Sequence, residues 1–215
     1  MMAFLVRVLL LLFERRELVL KSLFEHIYIS LVACILIGVV GIPLGVLITR
    51  FRSWASGVLV VTGVLYTIPA LALFGFMIPL LGIGLRPTLF ALFIYGLLPL
   101  VRNTYVGITN VDPAIVEAAR GMGSTEWQML SRVQLPLALP FIVAGFRTVV
   151  VMTISVSTIA AFIGAGGLGV LIFRGITSYY TELIVAGSML VAGLSVLADT
   201  LLGFLEKKLL RRIQM

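Results

Sequence analysis

Asp112, Glu117, Arg120 and Glu126, closed by Arg132, gather five of the chain's few ionisable groups between two apolar runs. Acids and bases at such spacings can make ion pairs with a partner. No histidine or cysteine accompanies them. His26 is the single histidine and Cys34 the single cysteine, so one chain can build neither a disulfide framework nor a zinc site. His26, with no metal-ligating neighbours, reads as an anchor at the entrance of an apolar run, and Cys34 as a small packing residue. There is no G-x-x-x-x-G-K-[ST] and no Gly-Lys pair, so the chain cannot cradle nucleotide phosphates by itself.

Three further groups could do chemistry. Tyr66, Phe74, Phe76 and Tyr95 offer ring faces to a cation through cation–π attraction, or serve as packing and lipid contacts. Arg147 lies inside an apolar run, where a charge marks a functional position unless the side chain snorkels to the nearer face. Asp199 reads as paired with a nearby cation. Residues Gly164 to Gly169 spell G-A-G-G-L-G, too glycine-rich for a helix interior. That segment fits a non-helical turn or re-entry at the membrane edge, a gate or docking surface, or an ordinary loop before the last span.

These residues must be held by membrane-spanning helices. Hydrophobic residues make up 61% of the 215 and charged residues only 12%, about half the share of a soluble domain. The net charge of +7 sits between and after apolar stretches, which points to anchoring at a membrane face rather than to nucleic acid. About 20 apolar residues cross a bilayer. Five candidate spans follow: Ile27–Thr49; a stretch between Arg52 and Arg86 containing Pro69 and Pro79, expected to kink or unwind; one from about Pro87 to Arg102 and Asn103; one from Pro136 to about Ala161; and one from Leu183 to Leu205. Residues 1–26 read as an N-terminal interfacial segment and 206–215 as a basic tail. The tail, with Lys207, Lys208, Arg211 and Arg212, places the C-terminus in the cytoplasm and, with five spans, the N-terminus outside. Arg7, Arg15, Arg16 and Lys21 run against that orientation.

The polar loop at about 111–135 has its own local signals. Asp112-Pro113 is a helix start, with an N-cap acid followed by proline at the first helical position. Gly121 and Gly123 break that helix. Thr125, with Gln128 three residues on, forms a capping box for a second short helix carrying Trp127 and Met129 as apolar knobs.

The sequence Glu117-Ala118-Ala119, then Gly123, then Val133-Gln134-Leu135-Pro136 resembles the EAA loop of ABC importer permeases. That pattern is E-A-A, three residues, G, nine residues, I, one residue, L-P, and the only departure is Val133 for Ile. The resemblance implies an all-helical integral membrane fold of the type I importer permease class, similar to methionine-importer permeases. It implies that the loop is a coupling helix docking on a cytoplasmic ATPase, with Glu117, Ala118, Ala119, Gly123, Trp127, Leu135 and Pro136 as its residues. Further stretches resemble the osmoprotectant-uptake branch: Tyr66 to Leu73 with Met77 to Gly84, Leu98 to Tyr105, and Ala161 to Gly169. That branch imports glycine betaine, choline, carnitine and related quaternary ammonium compounds.

From this resemblance come the partners: a second permease subunit in a homo- or heterodimer, two ABC ATPase subunits that bind ATP and magnesium, an extracytoplasmic substrate-binding protein, and the bilayer. The expected setting is a prokaryotic plasma membrane, crossed several times. No cofactor is expected in this chain. Tyr66, Pro69, Arg147, Gly164, Gly166 and Gly167 are its pathway or gate candidates. A rival within the family imports an amino acid or another small solute. A rival of another class is an ATP-independent channel or scaffold, distinguished by whether an ATPase co-purifies.

Overall fold

The computed structural model describes residues 2–213, and every regular element among them is helical. Met1 and the end of the basic tail, Gln214 and Met215, lie outside the described residues. Helix α1 (Met2–Glu14) is followed after one residue by α2 (Arg16–Arg50). The first apolar run therefore belongs to a helix that starts well before Ile27. Arg16, Glu17, Lys21 and Glu25 interrupt the hydrophobicity but not the helix, because Arg, Glu and Lys are good helix formers.

Helix α3 (Arg52–Thr67) and α4 (Ala70–Leu81) meet at a bend of 97°. Its cause is local. Ile68 precedes Pro69, and the proline ring pushes it out of the helical region to φ −65, ψ 127. Gly82 and Gly84, both at positive φ, turn the chain into α5 (Leu85–Thr109). After α6 (Pro113–Gly121) the chain enters α7 (Glu126–Gln128). A π-helical turn over Met129–Gln134 then carries it directly into α8 (Leu135–Ser157). The second short helix of the polar loop is thus the first turn of a 32-residue helix, Glu126–Ser157. A short 3-10 turn (Ile159–Ile163), the glycine segment, α9 (Gly169–Thr177) and α10 (Thr181–Ile213) complete the fold.

Among the described residues four helices are long and apolar enough to cross a membrane, and the bent α3–α4 pair, a broken span or a re-entrant hairpin, makes a fifth when counted as one span. The five runs of the hydropathy pattern match this count with the bent pair taken as one span. Helices α2, α5 and α8 form the centre, drawn together by small residues. A Cβ on Gly45 of α2 would lie 2.6 Å from the Thr104 Cβ of α5, and one on Gly145 of α8 would lie 2.5 Å from the Asn103 Cβ. Helices in lipid gain from such close backbone approach, because no hydrophobic force drives them together. Val8 and Leu11 of α1 pack with Leu183 and Ala186 of α10 and with Leu168 and Leu171. The outward faces carry exposed large apolar residues, among them Val61, Leu80, Val196 and Phe204, as a lipid-facing surface requires.

Candidate functional site

The polar loop folds as its caps dictate. Asp112 Oδ1 accepts the Ala114 N–H at 2.8 Å, and Pro113 occupies the first turn of α6. Gln128 N donates to Thr125 Oγ1 at 3.3 Å, while Gln128 Oε1 accepts the Thr125 N–H at 2.9 Å, closing the capping box. Between the two lies Gly123 at φ +82, a conformation that a side chain strains, although a Cβ there would meet nothing within 4 Å.

Glu126 ties three elements together. It accepts from Arg50, the last residue of α2, at 2.8 Å and from Arg120 of α6 at 3.4 Å. A cleft of about 470 Å³ opens beside this clamp, bordered by Arg50, Arg52, Glu117, Arg120 and Glu126. Glu117 and Ala118 face outward, and Ala119 is buried beneath them. Leu135 is half-buried against Ile108, Leu130, Ala138 and Ile142, and Pro136 is exposed.

The two apolar knobs part company. Trp127 is 72% exposed, whereas Met129 is 3% exposed and turned into the chain's own interior. Met129 is therefore a core residue and not a contact for a partner. Met122, 81% exposed, takes a surface position on the loop that spacing alone did not single out.

The opposite end of the bundle holds the glycine segment. Gly164, Gly166 and Gly167 have φ of +78, +86 and +80. A Cβ on Gly166 would lie 2.4 Å from Glu25 Oε2, and one on Gly167 2.9 Å from His26 Nδ1. His26 is not at the surface of a span entrance but fully buried. Its Nε2 lies 3.0 Å from the Ile154 carbonyl and from Ser157 Oγ, and its Nδ1 accepts the Leu168 N–H at 3.2 Å. No sequence spacing signals this hub, because its partners lie far along the chain.

Tyr66 stands edge-on to Tyr95 with ring centroids 5.8 Å apart, and the Tyr95 hydroxyl donates to the Ile68 carbonyl beside Pro69. Phe74 is fully buried and Phe76 points outward, so the four rings do not converge on one cavity. The Pro69 bend and the glycine segment share an apolar cluster that includes Ile68, Phe74, Ile163 and Ala165. Arg147 is elsewhere. It pairs with Asp199 through two hydrogen bonds, at 2.6 and 2.7 Å, and with Glu206 at 3.0 Å. The cation expected for Asp199 is thus Arg147, which reaches across to α10.

Comparison with known proteins adds the family context. The family model for the binding-protein-dependent transport system inner membrane component matches residues 41–211. The glycine betaine/carnitine/choline transport system permease protein OpuCB of Bacillus subtilis is 44% identical over 184 residues, covering 86% of this chain and 85% of that protein. The carnitine transport permease protein OpuCB of Listeria monocytogenes is 44% identical, covering 91% and 90%. The osmoprotectant import permease protein OsmW of Salmonella typhimurium is 45% identical, covering 85% and 87%. Among solved structures, a chain of the MetNI methionine ABC transporter in an inward-facing conformation superposes with a TM-score of 0.79 at 22% identity, over 89% of this chain and 96% of that one. A chain of an amino acid ABC transporter reaches 0.77 at 21%, over 93% and 97%. At these identities the two structures speak for the fold alone.

Proposed function

The chain belongs to the binding-protein-dependent transport system inner membrane component family, and on that premise we propose that it is the membrane-spanning subunit of an ATP-driven importer of quaternary ammonium osmoprotectants. The observation that carries the solute class is the set of relatives at 44–45% identity, whose names specify glycine betaine, carnitine, choline or osmoprotectants. The three named solutes share a quaternary ammonium group.

The loop around Glu117, Gly123 and Trp127 is the part of the chain that docks on the ATPase. Its rigidity and exposure support this: both helix starts are capped, Glu126 clamps it to α2 and α6, and Trp127 stands free to fill a partner's pocket. ATP and magnesium bind in the two partner ATPase subunits. The loop end is cytoplasmic, which agrees with the cluster of Arg50, Arg52, Arg120, Arg132, Lys207 and Lys208 at or after span ends. The setting is a prokaryotic plasma membrane.

A single subunit encloses no closed pathway, so a second permease subunit completes it and a binding protein delivers solute at the glycine-segment end. Tyr66, Pro69, Gly164, Gly166 and Gly167 sit toward that end and are the gate candidates. ATP-driven closure of the ATPase pair moves the loop, and access alternates from one face to the other.

The test is to purify the complex with its binding protein and titrate that protein calorimetrically with glycine betaine, choline, carnitine and methionine. Tight binding of at least one quaternary ammonium compound is expected. Tight methionine binding without the others would refute the solute class.

A further inference from the structure

Arg147 lies within α8, the helix that runs unbroken from the loop, and its three partners are all on α10. Asp199, Gly203 and Glu206 fall at i, i+4 and i+7 on one face of α10. The two carboxylates grip the guanidinium, Asp199 by both oxygens. Gly203 lies between them, and a Cβ there would come within 3.1 Å of the Arg147 Cζ and Nη1. The glycine thus leaves room for the guanidinium to rest on the α10 backbone. This half of α10 also turns a broad face outward. Val196, Leu197, Thr200, Leu201, Phe204 and Leu205 are all exposed.

Three ionised groups inside spanning helices are costly to keep, and packing alone could join two helices with apolar residues. A bidentate arginine–carboxylate pair adds what apolar contact lacks, a fixed orientation. Resting on the importer reading above, we propose that the Arg147 seat on Asp199, Gly203 and Glu206 is a positioning joint that makes α10 move with α8. Displacement of the loop then reaches α10 through this joint, and solute movement is tied to ATP hydrolysis by it. Arg147 acts here through α10 and not by contact with solute.

The test separates positioning from stability. Single neutral substitutions leave a charge unpaired within the spanning helices. The triple variant Arg147→Met, Asp199→Leu, Glu206→Gln removes all three charges together. In the full reconstituted complex the triple is expected to insert and assemble, and to hydrolyse ATP, but with uptake per ATP lowered at least tenfold. Spin labels at positions 148 and 204, in a Cys34→Ala background, should give one narrow distance in the parent and a broadened one in the triple. A triple with the parent's uptake-to-hydrolysis ratio and label distance overturns the joint. Should the triple not reach the membrane, Arg147→Lys carries the test, since it keeps the charge and loses the fork. A several-fold lower ratio supports the joint, and an unchanged ratio overturns it. A parent complex without ATP-driven uptake overturns the importer reading instead, and the label distances still decide the joint.

Discussion

Glu25 and Gly167 lie 142 residues apart in the chain and touch, the Glu25 Oε2 accepting the Gly167 N–H at 3.0 Å. One residue further along both partners, His26 Nδ1 accepts from Leu168 N. A ring nitrogen that accepts carries no proton, so the proton of neutral His26 sits on Nε2, where it is shared between the Ile154 carbonyl and Ser157 Oγ. Two adjacent side chains of α2 therefore hold the left-handed glycine turn in place and fasten it to the end of α8.

Replacing His26 by alanine strands the Leu168 N–H and removes a donor from the Ile154 carbonyl in a dry interior. A buried unsatisfied group costs about 1–3 kcal/mol. A fall of about 5 °C in the apparent melting temperature is expected in detergent, taking about 2–4 °C per kcal/mol for a chain of this size. Lys21→Ala, at an exposed position, should leave the melt unchanged. Equal melts for both variants would contradict the hub.

Trp127 and Met129 should separate cleanly. Trp127→Ala removes an exposed side chain, so stability should change by less than about 0.5 kcal/mol. Co-purification of the ATPase should fall sharply, since an aromatic anchor at an interface is worth about 2 kcal/mol or more. Met129→Ala empties a core position and should destabilise the chain itself by about 2–5 kcal/mol. Thermal melts and pull-down yields on the same preparations decide it, and the reverse pattern sinks the assignment of the two side chains.

Glu117→Lys and Gly123→Asp should keep normal membrane abundance yet lose ATP-driven uptake. Both positions are exposed, and neither places a charge in lipid. A like charge facing the partner costs several kcal/mol, on the order of a hundredfold or more in association. Gly123→Asp adds backbone strain at φ +82, which Asp bears better than most residues. Parental uptake in both variants would remove the loop from the coupling role.

Orientation is open to single-cysteine labelling in a Cys34→Ala background. Impermeant maleimide should reach Tyr179→Cys in intact cells, since that residue is 94% exposed at the turn into α10. It should reach Trp127→Cys and Lys208→Cys only after the membrane is opened. Gly167 is a poorer probe because it is buried. Labelling of position 127 from outside would invert the topology.

The sequence announces whatever is local. Five apolar runs stand out because a bilayer demands about 20 residues each, and the loop's capping box and Asp112-Pro113 start depend on residues two or three apart. The bend at Pro69 was legible for the same reason. What escaped is either long-range or works against a local signal. His26 finds partners more than a hundred residues away. Residues 16–25 read as part of an interfacial segment rather than as the start of a span because hydropathy is blind to helix propensity. Thr125 and Pro136 both look like helix starts, but the π turn between them carries the helix through. Proline cannot donate and crowds the preceding turn, and the wider turn eases both. Met129 and Trp127 are two residues apart, so they point to different sides of one helix, and only tertiary packing decides which side is buried.

The unbroken helix from Glu126 to Ser157 has a mechanical consequence. Its 32 residues make a rod about 48 Å long. One end carries the exposed Trp127 and the other abuts His26 and the glycine turn. A tilt of about 5° about the lower end carries the upper end about 4 Å, more than a hydrogen bond can stretch. The length of the rod thus turns a few degrees of rotation near one end into a displacement at the other that exceeds the reach of the hydrogen bonds His26 and Ser157 make there.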